Sequence, residues 1–162
     1  MDIRIGYGED IHALKCGRRL VIGGVTIPYE KGLDGHSDAD ILFHALSDAL
    51  LGSLALGDIG KLFPPSDPKT YGIDSEIILS ECHRLVKEKG YMVVNVDASI
   101  SAEEPRLSPY IQKMRENISR IMGIDVSSVS VKAMTNEGFD AVGKKEAMKA
   151  VVAILVKKED KE

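Results

Sequence analysis

Ala150-Val151-Val152-Ala153-Ile154-Leu155-Val156 is the stretch that decides the fold. It has no polar position, so a strand made from it presents apolar side chains on both faces and calls for cover above and below. Helical segments elsewhere in the chain supply that cover on one face. From Ser37 to Gly52, Ile41, Leu42, Ala45, Leu46, Ala49 and Leu50 form an apolar stripe, with Ser37 as N-cap and Asp40 three residues later. His44 falls off this stripe. A second helix runs from about Ser75 to Lys89 and stops at Gly90. In the third, Ser108 is the N-cap, Pro109 the first helical residue, and Ile111, Met114, Ile118 and Ile121 recur by three or four before Gly123.

The remaining strands read as Met1 to Gly8, Met92 to about Ala102, Val129 to Ala133 and Met148 to Val156. Arg18 to Pro28 reads as a hairpin or bulged strand pair around Gly23-Gly24. Gly57 to Gly72 holds three prolines and little periodicity, which predicts a long loop, and loops of this kind often serve as lids. The fold class is α/β, an α+β sandwich: a mixed β-sheet with three helices on one face. At 162 residues the chain makes a single domain, 1–162. The second sheet face then lacks cover, which predicts self-association through the sheet.

Composition narrows the function. The net charge is −4 and no basic run is present, which argues against nucleic acid or an anionic membrane as the partner. No apolar run approaches the ~18 residues of a membrane span, and Asp2 and Arg4 replace a signal core. Cys16 and Cys82 form no CxxC, which fits a reducing, cytoplasmic setting.

Three of the four histidines lie in or beside two short acidic runs, Asp10-Ile11-His12 and His36-Ser37-Asp38-Ala39-Asp40 with His44. Residues i and i+2 of a strand share a face, so Asp10 and His12 point together and His44 from a helix closes a tripod. Two imidazoles and a carboxylate with an open position are the donors of a catalytic, zinc-type site. His83, in Glu81-Cys82-His83-Arg84, reads as part of a solvated helix face. Gly6-Tyr7-Gly8 lacks the third glycine and the following helix of a dinucleotide fingerprint. Ser37, at a helix start, caps it or binds phosphate there. Lys132 to Gly138 is a strand exit whose Glu137 can hold a hard divalent cation on phosphate oxygens. Ala102 to Pro109 is a strand-to-helix connection whose amides and Arg106 can meet a nucleotide. From residue types alone, a metal-dependent cyclase, a zinc-dependent phosphohydrolase and a non-enzymatic metal- or isoprenoid-binding trimer all stand open.

Asp10-Ile11-His12, Ile22-Gly23-Gly24-Val25 with Ile27-Pro28-Tyr29, His36 to Asp40 with His44-Ala45, Leu56 to Gly60 with Phe63-Pro64, Asn95-Val96-Asp97 and Val131-Lys132-Ala133 run in order along the chain. This pattern resembles the 2-C-methyl-D-erythritol 2,4-cyclodiphosphate synthase family of non-mevalonate isoprenoid biosynthesis. The resemblance implies a homotrimer with sites between subunits and a metal-dependent cyclisation of 4-diphosphocytidyl-2-C-methyl-D-erythritol 2-phosphate that releases CMP. It implies Zn²⁺ on Asp10, His12 and His44, and Mg²⁺ or Mn²⁺ on Glu137. His36 and Thr135 take the role of transition-state stabilisers. Asp58, Ile59 and Gly60 are the expected erythritol contacts, while Ala102, Arg106, Leu107, Ser108, Ala133 and Met134 form the cytidine pocket. Ser37, Phe63 and Asp67 are further expected substrate contacts. Lys144 stands where the family commonly carries Arg toward an isoprenoid diphosphate on the trimer axis. Glu9, Pro65, Met134, Asn136 and Arg106 also depart from the usual residues.

Overall fold

Ile3, Ile5 and Tyr7 alternate with Arg4, Gly6 and Gly8 at the start of the chain, and the strand they begin runs far past Gly8. The computed structural model describes residues 2–159, so Met1 of the expected first strand and residues 160–162 of the expected domain lie outside it. The first strand, β1, is Ile3–Cys16. Its polar second half breaks the apolar pattern and hid the extension, but pairing continues: Ile3 to Ala13 face the last strand antiparallel, and Leu14 to Cys16 face a short strand, Lys31–Leu33.

The elements follow as β1, β2 (Leu20–Ile22), β3 (Val25–Ile27), β4 (Lys31–Leu33), α1 (Ile41–Ser53), α2 (Ile59–Leu62), α3 (Ser75–Glu88), β5 (Tyr91–Ser101), α4 (Ile111–Met122), β6 (Val129–Met134), α5 (Asp140–Gly143) and β7 (Ala147–Lys158). The main sheet has the order β4-β1-β7-β5-β6. All of its pairings are antiparallel except β5 with β6, so the sheet is mixed as expected. β2 and β3 form the expected hairpin across Gly23-Gly24. Gly123 closes α4 in the left-handed conformation, as its position predicts.

Two glycines set how closely α1 lies on the sheet. A Cβ on Gly6 would sit 2.0 Å from the Ala49 carbonyl oxygen, and one on Gly8 2.0 Å from that of Ala45. Only bare backbone permits this approach. Gly6-x-Gly8 is thus a packing device that brings His44 down onto the strand carrying Asp10.

Several local expectations are corrected. Helix α1 starts at Ile41, and Asp40, not Ser37, is its N-cap. The fully buried Asp40 carboxylate accepts N–H bonds from Gly23, Gly24, Leu42 and Phe43 at 2.8–3.1 Å, joining the hairpin to the helix. Burial pushes its carboxyl up to about 6 against the pull of those donors. That carboxylate fills the helix end read as a possible phosphate site at Ser37. Ser108 is the first residue of a 3₁₀ turn, Ser108–Tyr110, whose N-cap position is Leu107, and its hydroxyl accepts a bond from Arg106 Nε at 2.8 Å. The loop Gly57 to Gly72 contains α2 and a 3₁₀ turn, Pro68–Thr70, each begun by an aspartate, Asp58 and Asp67. His83 is half-buried, not solvated, and burial pushes its pKa down.

β7 buries Met148, Ala150, Val152, Ile154 and Val156 against the helices. Its other face, with Val151, Ala153 and Leu155, is only partly covered in the single chain, where burial on both faces was expected. No helix among the described residues is long and apolar enough to cross a membrane.

Candidate metal centre

Asp10 and His12 leave the same face of β1, and the close approach of α1 brings His44 beside them. Asp10 Oδ2 lies 3.0 Å from His12 Nε2 and 3.1 Å from His44 Nδ1. One ligand atom from each of the three falls within 4.8 Å of the others, a group able to hold a metal ion. The tripod expected from residue types is therefore assembled.

The far nitrogens decide what the near ones do. His12 Nδ1 is 2.5 Å from the Asp34 carbonyl oxygen, which can only accept, so Nδ1 carries the proton and Nε2 presents its lone pair to Asp10. His44 Nε2 lies 2.9 Å from Ser75 Oγ and 3.1 Å from Ser37 Oγ. With Nε2 as the donor there, His44 Nδ1 also presents a lone pair. Two nitrogen lone pairs and a carboxylate oxygen then converge on one point, an arrangement satisfied by a shared cation or by added protons. Burial raises the Asp10 carboxyl, yet the two imidazoles outweigh it and hold it at about 2. In the other direction, the hydrogen bond to Asp10 raises His12 despite burial. This donor set fits a divalent transition ion with positions left for oxygen ligands.

The tripod opens into a cavity of about 350 Å³ lined by His36, Ser37, Ile59, Gly60 and Phe63 as well as by Asp10, His12 and His44. Pro65, Thr70, Ile73 and Ile78 complete its wall. A second cavity, about 440 Å³, is lined by Ala102, Arg106, Leu107, Ser108, Ala133, Met134 and Thr135. The expected substrate contacts that line a cavity thus fall into two groups that share no residue.

Residues 3–157 match the YgbB family. The chain belongs to the YgbB family. It is 54% identical over 157 residues to the 2-C-methyl-D-erythritol 2,4-cyclodiphosphate synthase of Carboxydothermus hydrogenoformans, covering 97% of this chain and 96% of that one. A CDP-bound 2C-methyl-D-erythritol-2,4-cyclodiphosphate synthase superposes with a TM-score of 0.88 at 38% identity, over 95% of this chain and all of that one (100%). The CDP complex of IspF from Plasmodium falciparum gives 0.87 at 36% identity, over 98% of each chain.

Some expected residues of this YgbB chain lie outside both cavity walls. Asp58 accepts the Lys61 N–H at 3.0 Å and Asp67 the Lys69 N–H at 2.9 Å, so each shapes the cavity loop from its backbone. Glu137 is exposed beside Thr135, whose hydroxyl donates to it at 3.1 Å. Lys144 is exposed after α5.

Other residues shape the site besides those expected to bind metal or substrate. Asp48 accepts the Ile59 N–H at 2.8 Å and fixes the start of α2 over the cavity; burial raises its pKa. Arg18 bonds the Ser37 carbonyl at 3.2 Å and Asp34 at 3.4 Å, holding the segment that leads to His36. Glu103 accepts the Asn136 N–H at 2.7 Å and shapes the turn bearing Thr135 and Glu137. Asp48 stands one turn beyond His44 on the polar line of α1, a signal available from spacing. For Arg18 and Glu103 no sequence signal exists.

Proposed function

We infer that this chain is a phosphorus–oxygen lyase that cyclises 4-diphosphocytidyl-2-C-methyl-D-erythritol 2-phosphate to 2-C-methyl-D-erythritol 2,4-cyclodiphosphate with release of CMP, in non-mevalonate isoprenoid synthesis. The observation that carries this is the Asp10, His12, His44 tripod at the mouth of its cavity, in a chain 54% identical to a synthase of that name. The phosphohydrolase and non-enzymatic readings find no support in the names of the relatives above.

The reaction joins a 2-phosphate oxygen to the β-phosphorus and breaks the β-phosphorus bond to the oxygen that leaves on CMP. A phosphomonoester has its second pKa near ~6, so the attacking group is already largely dianionic at neutral pH and needs no strong base. The barrier is the approach of two anions. Asp10, His12 and His44 would hold zinc or another divalent transition ion, which supplies Lewis-acid polarisation and a template for phosphate oxygens. Glu137 would hold Mg²⁺ or Mn²⁺ with the diphosphate, an all-oxygen donor set. His36 and Thr135 stabilise charge in the transition state. His36 Nε2 is buried without a hydrogen-bond partner among the described residues, which leaves it available to a phosphate oxygen. Asp58, Ile59 and Gly60 orient the erythritol with Ser37, Phe63 and Asp67 as further contacts. Leu62 to Tyr71 exclude water and favour the in-line geometry.

The cytidine goes to the cavity between Ala102 and Thr135, the erythritol diphosphate to the tripod. One substrate has to reach both, and the partly covered sheet face offers a way to bring two chains together. In keeping with the family resemblance, the proposed working form is a cytoplasmic homotrimer with each site shared between neighbours and Lys144 toward the trimer axis. Stripping metal with a chelator is expected to abolish turnover, zinc to restore it, and His44→Ala to keep its far-UV circular dichroism while failing to respond to zinc. A zinc-responsive His44→Ala enzyme would refute the tripod as the metal site.

A further inference from the structure

His44 is held from behind by Ser75 and by Asp38 of the acidic run 36–40, neither of which lines the cavity. Ser75, the first residue of α3, is fully buried, and its Oγ lies 2.9 Å from His44 Nε2. The Ser75 hydroxyl donates to Asp38 Oδ1, and the Ser75 backbone N–H donates to Asp38 Oδ2 at 3.2 Å. Asp38 in turn donates its own N–H to the Ile73 carbonyl at 3.2 Å, so the start of α3 and the segment before α1 clasp each other. A carboxylate only accepts, so the Ser75 hydroxyl proton is committed to Asp38, and toward His44 its oxygen can only accept. His44 must then carry its proton on Nε2 and offer Nδ1 forward.

We propose that Asp38, acting through Ser75, is the outer support of the metal centre: the relay Asp38–Ser75–His44 fixes the His44 tautomer and ring orientation and makes Nδ1 a better donor. The proposal rests on the reading of Asp10, His12 and His44 as metal ligands. Metal-bound histidines usually donate their second ring N–H to a carboxylate or carbonyl; His12 does so directly to the Asp34 carbonyl, and in His44 a serine hydroxyl is interposed. Ser37, the other neighbour of Nε2, accepts the Ala39 N–H at 3.0 Å and lines the cavity, so its hydroxyl proton stays available there. Asp38 and Ser75 are positioning residues. The same clasp ties the ligand to the far end of the loop over the cavity, where Gly72 donates to the His36 carbonyl at 2.8 Å.

The test uses zinc and cobalt(II) as probes on the full chain, with affinity read by chelator competition and geometry by the visible cobalt spectrum. Ser75→Ala and Asp38→Asn are expected to lose about 10–100-fold in affinity and to shift the cobalt bands, while Ser75→Thr retains both. Nitrogen-15 NMR of the zinc-loaded wild type, which needs no variant to fold, is expected to show a protonated His44 Nε2 protected from exchange. Wild-type affinity in both Ser75→Ala and Asp38→Asn, or a proton on His44 Nδ1, overturns the relay. If His44→Ala binds zinc as tightly as wild type, the ligand assignment itself falls.

Discussion

Asp10 sits between two imidazoles whose far nitrogens are already satisfied by other parts of the chain. That arrangement, more than the residue types, makes the three atoms a set able to hold a metal ion. The set was legible because strand alternation puts positions 10 and 12 on one face and because His44 broke an apolar stripe. Its supports were not. Asp34 reaches His12 across 22 positions and Ser75 reaches His44 across 31, and local spacing carries no trace of such contacts. The two cysteines give a separate test at this scale. Cys82 is fully buried, and burial pushes its thiol up to about 12, whereas Cys16 is exposed at the end of β1. A thiol-specific chromogenic reagent is expected to titrate one thiol per native chain quickly and the second only after unfolding. Two fast thiols would contradict the packing of α3 against α1.

At the scale of elements, the long amphipathic helices and the glycine-marked hairpin are readable, and the other short pieces are not. α3 and α4 follow their periodicity, and Gly90 and Gly123 mark their ends. β4, α2 and α5 have only three or four residues each, too few for a period to emerge. The N-terminus of α1 was misplaced by three residues because Ser37 and Asp40 are both good caps, and only the hairpin decides between them: Gly23 and Gly24 donate to Asp40. Asp40→Ala leaves four backbone N–H groups without that acceptor and is expected to cost about 3–5 kcal/mol in equilibrium urea unfolding. Asp40→Asn, which keeps one carbonyl acceptor, should cost less. An Asp40→Ala protein as stable as wild type would mean that the carboxylate does not join hairpin to helix.

For the whole molecule, the sheet has one face under three helices and one face open. On the open face Ile5 is 76% and Tyr7 59% exposed, beside the exposed Ala153 and the partly covered Val151 and Leu155 of β7. The apolar run at 150–156 announced this second face, but nothing in a single sequence fixes how many chains meet on it. The Lys149–Glu9 pair at 3.0 Å lies there too, so a contact made on this face would combine apolar and ionic surfaces. Sedimentation velocity at micromolar concentration is expected to give three chain masses. A fully active monomer would contradict a site shared between neighbours.

The most direct test of the proposed reaction is product analysis by phosphorus NMR after incubating the zinc- and magnesium-loaded protein with 4-diphosphocytidyl-2-C-methyl-D-erythritol 2-phosphate. One cyclic diphosphate and one CMP are expected for each substrate consumed, with no inorganic phosphate. An open-chain erythritol phosphate in place of the ring would show that water, not the 2-phosphate, is the nucleophile, and would contradict the cyclase.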